Sequence, residues 1–224
     1  MMKKAFSVYG LAYLALLALM LVLLATFPKL ELHLMLNRWH SSICDVFFKS
    51  FSKLAEWPLY VLALIPLFRK KVRLTLFYVL CELSGGIGTW VLKKLFSAPR
   101  PVSVFESYPD LTLPLVEGVK MHHSNSFPSG HTSPFFVFFT CCALLMAFQL
   151  GQRASQKWSP RYLLLLLPLL LAALGGYSRI YLSQHFLSDV CMGSVIGFIT
   201  PCLMFYFGKN KLLKPKTNAS EYDS

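Results

Sequence analysis

The sequence predicts an all-α membrane protein that crosses the bilayer six times, with an amphipathic interfacial segment after the first crossing. Three observations predict it. Hydrophobic residues make up 55% of the 224 residues and charged residues only 14%, against about 25% charged in a soluble domain. The apolar residues fall in runs near the roughly 20 residues that carry a helix across a bilayer. The net charge of +12 comes from basic residues that sit mostly between those runs, as in cytoplasmic loops. This distribution argues against a nucleic-acid partner, because no arginine-rich helix or interleaved aromatic stripe accompanies the charge. The chain is also too apolar for disorder. None of the six cysteines forms a CxxC pair, so neither a disulfide framework nor a zinc site is expected.

The first run, Ala5 to Phe27, follows Lys3 and Lys4. It is longer than a signal-peptide core and ends at Phe27-Pro28-Lys29 without a small-residue cleavage site, so it reads as an uncleaved span. Residues 30–53 mix Leu32, Leu36, Trp39, Val46 and Phe51 with Glu31, Arg38, Asp45 and Lys49, the composition of a helix lying in the membrane surface. Span two is Leu54 to Phe68, with Trp57-Pro58 at the interface, and is closed by Arg69, Lys70, Lys71 and Arg73. Span three is Leu74 to Phe96. A long polar connection, 97–130, leads to span four, Thr132 to Leu150, which is followed by Arg153, Lys157 and Arg161. Spans five and six are Tyr162 to Tyr177 and Phe186 to Phe207. Residues 1–208 form the membrane domain, and 209–224 a basic, then polar tail.

Six spans place both termini on one side. Assigning that side to the cytoplasm gives it 13 of the 22 basic residues, in keeping with the positive-inside rule. Segments 97–130 and 178–185 then face the periplasmic or external side. Gly85, Gly86, Gly88, Gly175 and Gly176 are expected to let spans pack closely.

Three strings carry chemistry, all at the outer ends of spans: Lys93 through Arg100-Pro101, Pro128-Ser129-Gly130-His131, and Ser178-Arg179 through His185 to Asp189. The topology gathers them at one membrane face. Lys93, Arg100 and Arg179 are three cations without a matching carboxylate cluster. Charges near membrane depth are costly and usually functional, and the arginine fork suits phosphate oxygens. Ser129 can cap the helix of span four, Gly130 lets backbone approach a ligand, and the exposed N–H groups favour an anion. His185 and Asp189, four apart, share one helix face. The carboxylate there can fix one imidazole tautomer and make His185 a nucleophile. His131 stands ready as general acid and then base. Two histidines, one carboxylate and a cationic cradle suit phosphoryl transfer.

These strings match the three-part signature of the type 2 phosphatidic acid phosphatase superfamily, Lys-x6-Arg-Pro, Pro-Ser-Gly-His and Ser-Arg-x5-His-x3-Asp, with no departure. The resemblance covers Lys93 to Asp189, and the six-span layout extends it. It implies a lipid phosphatase that needs no metal or cofactor, with a phosphorylated membrane lipid as substrate. It further implies that His185 attacks phosphorus to form a phosphohistidine and Asp189 orients it. His131 protonates the leaving oxygen, and Lys93, Arg100, Ser129, Gly130 and Arg179 hold the phosphate. The loop carrying His122-His123-Ser124-Asn125-Ser126-Phe127 is similar to that of bacterial lipid A phosphatases, most like the 4'-phosphatases. Undecaprenyl pyrophosphate and phosphatidylglycerophosphate are the alternative substrates. The implied location is the bacterial inner membrane, with the site facing the periplasm.

A phospholipid binder or transporter needs the cations but not the histidines with Asp189. A vanadium haloperoxidase shares the pocket chemistry, and the membrane topology argues against it. His122 and His123 read as solvated loop, Lys94 as an interfacial anchor, and Glu82 as a buried, hydrogen-bonded structural acid within span three.

Overall fold

A computed structural model describes residues 2–68, 71–153 and 159–213. Among them every regular element is helical: α1 (Met2–Thr26), α2 (Lys29–Leu36), α3 (Ser42–Ser52), α4 (Pro58–Phe68), α5 (Val72–Phe96), α6 (Pro101–Phe105), α7 (Thr132–Arg153), α8 (Leu166–Tyr181) and α9 (Leu187–Leu213). Short 3-10 turns, Lys53–Ala55 and Pro160–Leu165, lead into α4 and α8. Five helical stretches are long and apolar enough to span a bilayer, and a sixth span arises if the bent pair Ser42–Ala55 and Pro58–Phe68 is counted as one.

That bent pair changes the reading of residues 30–53. The segment is not one interfacial helix. Proline at 28 opens α2, and the chain leaves helix after Leu36. Extended Ser41 then caps α3, its Oγ accepting the Cys44 N–H at 3.2 Å. Helix α3 continues through the 3-10 turn and bends by 53° into α4, with Pro58 at the break. Eleven-residue α4 rises only about 16 Å at 1.5 Å per residue, so it needs α3 to cross the bilayer. The basic residues Arg69, Lys70 and Lys157 and the tail from Lys214 onward lie outside the described residues.

Helix α7 is the hub, packed against α1, α5, α8 and α9. Two glycines allow the approach: a Cβ at Gly175 of α8 would lie 2.3 Å from the Phe135 ring, and one at Gly197 of α9 would lie 2.6 Å from the Ser133 carbonyl. Of the glycines expected to bring spans together, Gly85, Gly175 and Gly176 face neighbouring helices closely. A Cβ at Gly86 would meet nothing within 4 Å, and one at Gly88 only Ile196, at 4.0 Å. Within the bundle, Tyr13 stacks on Phe198 with centroids 3.9 Å apart, and Tyr9 and Thr140 share a hydrogen bond of 2.8 Å. Exposed Leu11, Val22, Leu76, Leu80, Ile87 and Leu203 clothe the outside of the bundle, a surface suited to acyl chains.

Candidate active site

Each of the three strings sits where a helix begins or ends. Lys93 is in the last turn of α5, which stops at left-handed Ser97, whose N–H returns to the Lys93 carbonyl. Extended Arg100 follows, and Pro101 starts α6. The six residues between Lys93 and Arg100 thus close a helix end and turn the chain back. The Arg100 N–H donates to the His123 carbonyl at 3.0 Å, and Ser126 N–H to the Ala98 carbonyl at 2.9 Å, so the connection 97–130 lies against this corner.

The third string is built the same way. Helix α8 ends after Tyr181, Ser183 takes a left-handed φ of 51°, and the N–H groups of Gln184 and His185 return to the Arg179 carbonyl at 2.9 and 3.1 Å. That reversal sets the spacing from Arg179 to His185. It is pinned from outside: Ser183 Oγ–H donates to the Pro114 carbonyl at 2.6 Å, and Asn37 Nδ2–H donates to Ser183 Oγ at 2.6 Å. The interfacial segment therefore braces the turn that presents His185.

His185 is 1% exposed. Its Nδ1 faces Asp189 Oδ2 and Ser126 Oγ, each at 3.4 Å. The same carboxylate oxygen accepts Ser126 Oγ–H at 2.5 Å and Phe186 N–H at 3.0 Å, and Oδ1 accepts Ser188 Oγ–H at 3.2 Å. These three donors fix the carboxylate of Asp189 in the first turn of α9. With Nδ1 turned to the carboxylate, Nε2 is left with the lone pair. Burial pushes the imidazole down to about 3; Asp189 opposes this, while Arg179 and Arg100 add to it. The ring is neutral at neutral pH, as a nucleophile must be.

His131 stands at the mouth, its side chain 32% exposed, with Nε2 at 3.8 Å from Glu56 Oε1. Burial, and then the charges of Arg179, His185, Arg100 and Lys93, push it down to about 2. All four groups thus lie near enough to act on one ring. Lys93 donates to the Asn125 carbonyl, and its Cε would lie 3.6 Å from a Cβ at Gly130. Arg100 donates from Nη1 to Gln184 Oε1 at 3.1 Å and from Nε to the Ser124 carbonyl at 3.0 Å. Arg179, buried, donates to Ser52 of α3, and its Nε has no partner among the described residues. Fully buried Ser129 accepts the Thr132 N–H at 3.3 Å and the Thr132 hydroxyl at 2.8 Å at the entry to α7, while its own N–H donates to the Asp189 carbonyl at 2.9 Å.

All eight residues singled out from the sequence thus meet at one corner. Four partners did not stand out there: Ser126 on Asp189, Gln184 on Arg100, Ser52 on Arg179 and Glu56 beside His131. Glu82 is hydrogen-bonded by the Tyr60 hydroxyl at 3.2 Å. It lies eleven residues before Lys93 on α5, about 16 Å away along the axis. His122 is exposed and borders a cavity of about 330 Å³ that also touches His131, Arg179 and Glu56. His123 packs by Ser103, with Nδ1 to Oγ 3.1 Å.

Residues 74–212 match the PAP2 superfamily. The chain belongs to this superfamily. Curated relatives include the "Probable diacylglycerol pyrophosphate phosphatase 1" of Schizosaccharomyces pombe, 30% identical over 126 residues, which are 50% of this chain and 45% of that protein. "Lipid phosphate phosphatase 2" of Arabidopsis thaliana is 30% identical over 136 residues, 54% of this chain and 47% of that one. The chain spans under half the length of these relatives. Among solved structures, the crystal structure of Aquifex aeolicus LpxE is 28% identical with a TM-score of 0.56, covering 81% of this chain and 97% of that one. The first transmembrane PAP2 type phosphatidylglycerolphosphate phosphatase from Bacillus subtilis is 22% identical with a TM-score of 0.63, over 95% and 98% of the two chains, a likeness of fold. All eight site residues fall within the matched PAP2 region.

Proposed function

We propose that this PAP2 protein is a lipid phosphatase that works through a phosphohistidine on His185, at the periplasmic face of a bacterial inner membrane. The observation that carries the reading is the geometry of His185: a buried ring with Nδ1 turned to Asp189, which leaves Nε2 for attack, and with Arg179 and Arg100 near enough to act on its charge.

In the first step Nε2 of His185 attacks phosphorus, the bond from phosphorus to the lipid oxygen breaks, and His131 gives that oxygen its proton. Asp189 stabilises the positive imidazole that results. The cradle neutralises the spread charge of the transferring group. In the second step His131, now neutral, takes a proton from water as the water oxygen attacks phosphorus. The N–P bond breaks and inorganic phosphate leaves, restoring His185. His131 is neutral while the cradle is empty. A phosphate dianion in the cradle offsets the cations that help hold its proton affinity down, and so raises it.

The favoured substrate is lipid A, at its 4'-phosphate, followed by undecaprenyl pyrophosphate and then phosphatidylglycerophosphate. Lipid A rests on the similarity of the 116–127 loop to that of the lipid A phosphatases. No metal step is needed, since the attacking group is nitrogen and cations of the chain stabilise the charge. Phosphate release from the three lipids by purified protein in detergent with EDTA tests this reading. Release that His185→Ala abolishes supports it, and a requirement for added divalent metal overturns direct histidine attack.

A further inference from the structure

The cradle and the cavity above it carry two separate charge sets. At the reaction centre Lys93, Arg100 and Arg179 are set against Asp189, a surplus of about two positive charges, which balances one phosphate monoester dianion. The 330 Å³ cavity that opens from Arg179 and His131 is bordered in addition by Lys49, Lys53 and Lys120. Glu56 is the only carboxylate among the residues bordering it. This outer set again leaves a surplus of about two positive charges, and one phosphate at the reaction centre does not use it.

The outer lysines are placed by structure. Lys49 and Lys53 are four apart and lie on one face of the α3 segment. Lys49 Nζ donates to the Glu117 carbonyl at 2.9 Å. Gly118 beneath it has a φ of +69°, and a Cβ there would lie 2.5 Å from Nζ, so this backbone is shaped around the ammonium. Lys120 is fixed through its carbonyl, which accepts Gln184 Nε2–H at 3.2 Å; Gln184 also holds Arg100. Gln184 thus touches both the backbone at Lys120 and the Arg100 guanidinium. His122 feels the accumulated charge: burial first, and then Arg100, Lys120 and Arg179, lower its proton affinity.

We propose that Lys49, Lys53 and Lys120 form a second anionic subsite that binds a second phosphate group of the same substrate, which makes a two-phosphate lipid the preferred one. The inference rests on the reading of the site as a lipid phosphatase and narrows its substrate class. The second phosphate has two possible sources: the inner phosphate of a diphosphate ester, or a phosphate elsewhere on a bis-phosphorylated headgroup.

The test compares kcat/KM within two pairs of lipids, lipid A against monophosphoryl lipid A, and undecaprenyl pyrophosphate against undecaprenyl phosphate. The wild type is expected to favour the two-phosphate member of at least one pair by about tenfold or more, the scale of one to two charge-assisted hydrogen bonds. The pair that shows the preference identifies the source. In Lys53→Ala/Lys120→Ala the ratio should fall to within about twofold, and in Lys53→Arg/Lys120→Arg it should persist, since charge is kept. The arginine pair also serves as the folding control. A wild type active on these lipids with no preference in either pair overturns the subsite and leaves the phosphatase reading standing, as does a preference that the alanine pair retains. A wild type that releases phosphate from none of the four, nor from phosphatidylglycerophosphate, overturns both.

Discussion

The two histidines of the site occupy opposite kinds of environment. His185 is sealed at the head of α9, and its carboxylate partner is fixed by a serine hydroxyl, a backbone N–H and a second serine. His131 sits at the mouth, part-exposed, and its nearest carboxylate, Glu56, comes from the bend between α3 and α4 at 3.8 Å, too far for a hydrogen bond. The difference matches the two tasks proposed for them. A nucleophile needs one tautomer and one orientation throughout the cycle, so it is buried and braced. A group that must gain, donate and regain a proton needs water nearby and a loose partner.

Substitutions can break this comparison, and the largest effect belongs to the sealed member. His185→Ala should lower kcat by about 10⁴-fold or more, the scale of losing a nucleophile, on any substrate. Asp189→Asn should cost on the order of 10³-fold, since orientation and charge are lost while the ring remains. His131→Ala should cost about 10²–10⁴-fold on lipid phosphates, the range for general acid–base catalysis, and much less in the first turnover on p-nitrophenyl phosphate, whose leaving group needs no proton. Equal losses on both substrates in a single-turnover assay would deny His131 the acid's role. Ser126→Ala should cost about tenfold, from one hydrogen bond to an ionised group, read as kcat. Glu56→Gln should cost only a few-fold, as for a partly exposed ion pair. If Glu56→Gln exceeded Ser126→Ala, the contrast between a braced and a loose partner would be wrong.

The smallest effect concerns stability. His185 stays neutral when folded, with its proton affinity pushed down to about 3, but titrates near 6.5 once unfolded. Between those values the unfolded chain binds the extra proton, so this contribution is complete above about pH 6.5 and is lost as pH falls toward 3. The unfolding midpoint in detergent should drop from pH 7 to pH 5, and His185→Asn should lessen that drop, leaving the part due to His131. An unchanged slope in the variant would place the acid sensitivity elsewhere.

The spans and the three strings were legible because their signals are local. Charges inside apolar runs stand out, and a His–Asp spacing of four needs only a helix. The bend at Trp57-Pro58 was read as an interface mark, because sequence shows a proline at a helix start and not the direction the next helix takes. Ser126, Gln184, Ser52 and Asn37 were missed for a different reason. Each is an ordinary polar residue whose role exists only once a distant segment folds against it. Gln184 lies between two recognised residues of the third string, yet nothing in its neighbours shows that it receives Arg100 from 84 positions away. In sequence Lys49 is one charge of the amphipathic segment and nothing singles out Lys53 or Lys120; only the fold places the three around one cavity.

The most direct measurement is capture of the covalent intermediate. In His131→Ala the phosphohistidine should form from p-nitrophenyl phosphate but hydrolyse slowly, because the water has lost its base. Mass spectrometry of the protein, digested under alkaline conditions that preserve phosphohistidine, should then show one phosphoryl group on the peptide containing His185, and none in His131→Ala/His185→Ala. p-Nitrophenol release by His131→Ala with no phosphoryl group on His185, or with the label retained in the double variant, would contradict attack by His185.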